Sequence, residues 1–210
     1  MHTSMLHHST LQRRLNVLLS EFERARKLWN ELNTEALNAA NSLVNNRLEE
    51  RLIDYSECWP PEFNEFPNLR EKCRNKMISK LAELETRLQS IFEKMTQQYK
   101  KMESYQTTLE NLLLEAKNDL GDEHIQFVPV YLTCSLQKLV NHFISIFTMY
   151  REEYIFKKKL LCEFNQIDGK HDGMVLLSVW MNQPCINIEK TKDFDELCKV
   201  EKEEWMKRFT

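Results

Sequence analysis

Glycine and proline are scarce in this sequence. Three glycines (Gly121, Gly169, Gly173) and five prolines (Pro60, Pro61, Pro67, Pro129, Pro184) occur in 210 residues. These two residue types are the strongest local breakers of regular structure. With so few of them, the chain has no room for the tight turns of a β-sandwich or a βαβ series. Three isolated glycines also cannot build a phosphate cradle, and no P-loop, G-x-G-x-x-G or G-x-S-x-G segment is present. A surplus of one charge is lacking as well: 29 basic and 32 acidic residues give a formal net charge of −3. That balance argues against direct, non-specific nucleic-acid binding, which needs a basic excess. The short run Lys157-Lys158-Lys159 is expected to be a solvated helix face.

Long apolar runs are missing too. No stretch approaches the roughly 20 apolar residues of a membrane span, and MHTSMLHHST offers no apolar core for a signal peptide. The expected location is intracellular, nuclear and/or cytoplasmic, with the thiols reduced. The six cysteines, Cys58, Cys73, Cys134, Cys162, Cys185 and Cys198, contain no C-x-x-C pair. The histidines, His2, His7, His8, His124, His142 and His171, form no H-E-x-x-H and no zinc spacing with them. Asp168, Asp172 and Gly173 are spaced like parts of a calcium loop. Lys170 occupies a ligand position there, however, and Val179 stands where the bidentate carboxylate belongs. No catalytic, cofactor or metal site is expected, and the chain is expected not to be an enzyme.

What the sequence does have is helical periodicity. Hydrophobic residues make up 42% and charged residues 29%, a mixture suited to long two-faced helices. Leu11, Leu15, Leu18, Phe22, Ala25, Trp29, Leu32, Ala36, Ala39 and Leu43 alternate steps of four and three. That spacing predicts a helix from about Thr10 to Glu57 with a coiled-coil seam. Trp59-Pro60-Pro61 ends it. Phe66 before Pro67 suits a hydrophobic staple at the next helix start. A second seam, from Leu81 through Leu88, Met95, Met102 and Leu109 to Ala116, predicts a helix over 67–120 with Gln98 as its one polar seam residue and Gly121 as its cap. The two helices suggest an antiparallel hairpin whose seams need partners.

The segments expected in chain order are a disordered N-terminus (1–9), the coiled-coil hairpin (10–120), a linker (121–133) and a C-terminal helical region (134–210). Within the linker, Gln126 to Leu132 suits a short extended piece. A third, more apolar helix is expected over 134–167, a turn at 168–173, and a short helix over 174–182 stopped by Gln183-Pro184. Asp193 with Glu196 suits a capping box for a last helix ending near Trp205. The fold class is therefore all-α, an elongated helical bundle. Trp29 in the seam and Trp180 before the stop suit core packing first and, because tryptophan is enriched at interface hot spots, are also candidate partner-binding anchors.

Two segments resemble the cyclin-dependent kinase 2-interacting protein family. One is Trp29-Asn-Glu-Leu32-Asn33 with Ala40-Asn41. The other joins Met149-Tyr150-Arg151 and Glu153 to Lys157-Lys158 and then to Leu177-Ser178-Val-Trp180-Met-Asn-Gln183-Pro184. The middle, Phe66-Pro67-Asn68-Leu69-Arg70-Glu71-Lys72, is similar to the sister family of small ribosome maturation factors. The resemblance implies a non-enzymatic helical subunit that pairs with a sister helical subunit. It implies association with a AAA+ ATPase complex in DNA replication and large ribosomal subunit maturation, and links to a cyclin-dependent kinase or checkpoint proteins. It marks Trp29, Leu32, Asn33, Asn41, Phe66, Tyr150, Arg151, Lys157, Lys158, Trp180, Gln183 and Pro184 as candidate partner-binding residues. The alternative is a generic coiled-coil tether, such as a kinetochore or cytoskeletal linker.

Overall fold

The computed structural model describes residues 2–53, 55, 59–66, 68–164, 166–167 and 170–207. Among these, the helices are α1 (His2–Leu52), α2 (Leu69–Leu120), α3 (Asp122–Phe127), α4 (Leu136–Phe164), α5 (Lys170–Asn182) and α6 (Ile188–Lys207), with a 3-10 helix at Pro61–Glu65. No strand occurs among the described residues; Pro129 and Ser135 form one isolated bridge. The all-α class is as the periodicity predicts.

The ends of the elements differ in instructive ways. α1 reaches back to His2, through the segment expected to be irregular, and stops at Leu52; its expected end at Glu57 lies outside the described residues, as does Pro67 of the expected staple. Gly121 caps α2 as predicted, at φ 88°, with its N–H donating to the Lys117 carbonyl at 3.0 Å. No extended piece follows. Gln126 and Phe127 finish α3, and the next residues are pinned as a loop. There the Tyr131 hydroxyl donates to the Gln12 carbonyl at 2.8 Å, and the Gln12 amide donates to the Val130 carbonyl.

α5 starts at Lys170, four residues before its expected start. Asp168 and Gly169 lie outside the described residues, but Gly173 is helical and packed. A Cβ at Gly173 would lie 2.5 Å from a methyl of Val44, so only glycine fits this approach. α6 starts at Ile188, which leaves Asp193 and Glu196 inside the helix and unable to form the predicted capping box. Asn187 caps instead, its Oδ1 accepting the Lys190 N–H at 3.0 Å.

The chain divides into two compact units that cut across the chain-order segments. Unit 1 comprises Met1–Trp29, Gln97–Tyr154 and Pro184–Thr210. Leu15, Phe22, Met102, Leu109, Phe143 and Phe147 form its core. α1 and α2 run antiparallel in it, as Arg14 pairs with Glu115 and Glu21 accepts from Tyr105. The Phe22 and Phe143 rings meet at 4.0 Å between centroids.

Unit 2 comprises Asn30–Thr96 and Ile155–Gln183. Ala36, Leu43, Leu88, Ile91, Phe164 and Trp180 form its core. Arg47 pairs with Glu85 across α1 and α2, and Arg51 donates to the Ile167 carbonyl at 2.8 Å.

These cores correct one expectation. The seams of α1 and α2 do not wait for partners. Leu15, Phe22, Trp29, Ala36 and Leu43 are at most 0% exposed, and so are Met95, Met102 and Leu109. α4 supplies the missing face in unit 1 through Phe143 and Phe147. Each fully buried leucine contributes about 1.5–3 kcal/mol, and that stabilisation is realised inside the chain.

Candidate partner-binding surface

The residues picked out by the sequence separate cleanly by burial. Trp29, Asn33, Tyr150, Lys157 and Trp180 are buried; Asn41, Phe66, Arg151, Lys158 and Pro184 are exposed; Leu32 and Gln183 lie between.

In unit 2 the buried members form one cluster. The Lys157 ammonium donates to the Trp180 main-chain carbonyl at 2.9 Å and lies 4.3 Å from the centre of the same indole. Trp180 sits in the last turn of α5, where carbonyls lack helical partners and the helix dipole favours a cation. A buried lysine is thus matched to the one place in the helix that suits it. The indole N–H donates to the Asn33 carbonyl at 3.4 Å, and the ring lies 5.8 Å from Phe164 and 6.5 Å from Phe92. Gln183 follows at φ 44°, in the left-handed conformation that closes many helices, and Pro184 stops further helix. The sequence segment from Trp180 to Pro184 therefore encodes a core anchor, a helix end and a stop.

In unit 1, Trp29 meets Tyr150 edge-on, with centroids 5.9 Å apart at 83°. Glu153, fully buried, accepts the Cys185 N–H at 3.0 Å and fixes the chain just after Pro184. Arg26, also buried, pairs with Asp195 and lies 5.0 Å from the Phe22 ring and 5.7 Å from the Phe194 ring. Glu201 of α6 accepts the N–H groups of Leu132, Thr133 and Cys134 at 2.8–3.1 Å, and the Thr133 hydroxyl as well. Burial alone would raise the pKa of this carboxyl. The four hydrogen bonds to its charged form outweigh that and hold it below the ordinary value.

One exposed apolar surface of unit 2 is on α5. Met174, Val175 and Met181 are 60%, 46% and 56% exposed. With Ser178 and Asn182, also exposed, they fall within one side of a 3.6-residue helix, opposite Gly173 and Trp180. A flexible thioether surface of this kind adapts to varied partners. The sequence analysis singled out Trp180 but passed over Met174, Val175 and Met181. Their signal was the run Met174-Val-Leu-Leu-Ser-Val-Trp-Met181, which is apolar around the helix, whereas a fully solvated helix keeps one polar face.

Among the described residues, no three His, Cys, Asp or Glu side chains come together as metal ligands, and no helix is long and apolar enough to cross a membrane. The model of a family described as "Ribosome biogenesis protein C1orf109-like" matches residues 9–201. No curated protein matches the chain. The match does not bear on the cyclin-dependent kinase 2-interacting protein family, which the C-terminal motif resembles.

Proposed function

The chain belongs to the C1orf109-like ribosome biogenesis family, and from that membership we propose that it is a non-catalytic adaptor subunit acting in maturation of the large ribosomal subunit. The match over residues 9–201 carries this reading, because it spans nearly the whole chain and both units. The adaptor joins a hetero-oligomer with a sister helical subunit and a AAA+ ATPase, in the nucleus, the cytoplasm or both. Roles in DNA replication and genome maintenance, and contacts to a cyclin-dependent kinase or checkpoint protein, belong to the same proposal and rest on the C-terminal resemblance.

Partner binding falls to exposed residues: the α5 face with Met174 and Met181, and the exposed candidates Asn41, Phe66, Arg151, Lys158 and Pro184. The generic tether loses its motive, because the seams that suggested it are internal. The deciding experiment is affinity capture of the tagged chain, with precursor particles of the large subunit followed after its depletion. We expect capture of a sister subunit and a AAA+ ATPase, loss of that capture in M174D/M181D at unchanged helicity, and accumulation of precursors. A stable monomer with no such company and normal ribosome maturation would overturn the proposal.

A further inference from the structure

We propose that His8 of α1 and His124 of α3 form a pH-sensitive latch in unit 1, which holds the first turns of α1 against α3 at neutral pH and releases them on mild acidification. The two rings meet edge to face, 5.9 Å apart between centroids and at 84°. Both residues are half-buried. The His8 imidazole also hydrogen-bonds to the Val130 carbonyl, which accepts the Gln12 amide one turn further along α1. His124 Nε2 is buried and has no hydrogen-bond partner among the described residues, so it is the bare nitrogen of a neutral ring. The contact is therefore built for two uncharged imidazoles. Protonation of both rings sets two positive charges side by side in a half-buried place, which like-charge repulsion and desolvation oppose.

The ionisable groups on the elements around the pair are few. On α3, Asp122 is paired with Lys117 at 2.8 Å, and Glu123 is exposed. Asp119, at the end of α2, and Arg13, on α1, are exposed as well. The Tyr131 hydroxyl of the following loop stays a neutral donor to the Gln12 carbonyl, because burial raises its pKa. Burial, and then the His124 charge, hold the His8 pKa below its ordinary 6.5, against the raising effect of the Val130 carbonyl. A histidine with a lowered folded value contributes stability that is fully present above about 6.5 and is lost as pH falls through the folded value. The opening is local. α3 has only six residues, too few to persist without the cover of α1. The bonds of Gln12 to Val130 and Tyr131 join groups that do not titrate near neutrality, so they mark where the release stops.

The test is hydrogen exchange of the full-length chain, read by mass spectrometry at about pH 7.5 and about pH 5.5 and corrected for the intrinsic pH dependence of exchange. We expect peptides covering 2–11 and 122–127 to exchange about tenfold faster at the lower pH, the equivalent of one pKa unit. H8Q and H124Q should each abolish that difference, and a folding defect in one leaves the other decisive. H142Q, at an exposed position of α4, should leave the difference intact. Glu201 does not confound the result, because its carboxyl titrates below the ordinary carboxylate value, about 4.3. A difference that survives both H8Q and H124Q, or none in the parent chain, would overturn the latch. So would protection at neutral pH that a metal chelator removes, since the two rings would then be metal ligands. The M174D/M181D capture experiment addresses unit 2, so the two proposals can fail independently.

Discussion

The two units finish their surfaces differently. Unit 1 spends charged groups inward: Arg26 on Asp195, Glu153 on the Cys185 N–H, and Glu201 on three consecutive N–H groups. Each of these pairs a residue of one segment with a residue of another. Both units also leave apolar side chains outward, but grouped differently: those of unit 1, among them Val17, Leu114, Phe127 and Ile188, fall on four different helices, whereas unit 2 sets Met174, Val175 and Met181 together on α5 and Phe63 near Phe66 beside the 3-10 helix. A monomeric surface normally exposes such residues singly. The lesson is that helices of similar periodicity close the cores of both units, and that the units differ in how their exposed apolar side chains are grouped.

The largest effect should come from the centre of unit 2. W180A removes the ring between Phe164 and Phe92 and the cover over Lys157. It should cost about 3–5 kcal/mol in chemical denaturation, and a loss below 1 kcal/mol would mean that the Lys157 cluster does not hold the unit. Next is Glu201 in unit 1. E201A strands three N–H groups and should cost about 2 kcal/mol. The sign of its pH dependence is fixed by its lowered pKa. The stabilisation from the carboxylate is fully present above the unfolded value, about 4.3, and disappears as pH falls through the lower folded value. E201Q should flatten that acid limb of stability; an unchanged limb would show that Glu201 does not set it.

A smaller gain is expected at Gln183. Its left-handed backbone favours glycine, so Q183G should raise the melting temperature, by about 0.5–1 kcal/mol of stability; a fall would show that the contacts of the Gln183 side chain outweigh the relief of backbone strain. The smallest effect on stability, within about 0.5 kcal/mol, is expected for M174S/M181S. A large destabilisation there would mean that the α5 face belongs to the core of unit 2 and would erase the contrast between the units.

Much of this fold was legible in the sequence. The four-three spacing from Leu11 to Leu43 and from Leu81 to Ala116 marked the buried stripes of α1 and α2, because a helix shows its inner face at fixed intervals. What the spacing could not show was which surface covers the stripe. A seam facing α4 of the same chain and one facing a partner have the same pattern. Caps were legible where one residue decides, as at Gly121, and illegible where two candidates compete, as at Asn187 and Asp193. Lys157, Trp180 and Asn33 stood out in the sequence as candidate partner-binding residues, but their burial did not. Lys157 and Trp180 stand 23 positions apart, and Asn33 and Trp180 stand 147 apart. Only the folded chain reveals that they satisfy one another. The α5 face was missed because Trp180 drew attention away from the methionines around it.

The Arg26–Asp195 pair joins positions 169 apart, and Glu201 reaches back 67 positions to Cys134. During synthesis, α1 leaves the ribosome long before Asp195 and Glu201 exist. Its seam then lacks part of its eventual cover, a state in which exposed apolar surface invites aggregation. Unit 1 can be completed only after α6 has emerged. Its assembly is therefore a late, non-local event, intrinsically slow, and a nascent chain paused before α6 should be the form most dependent on chaperones.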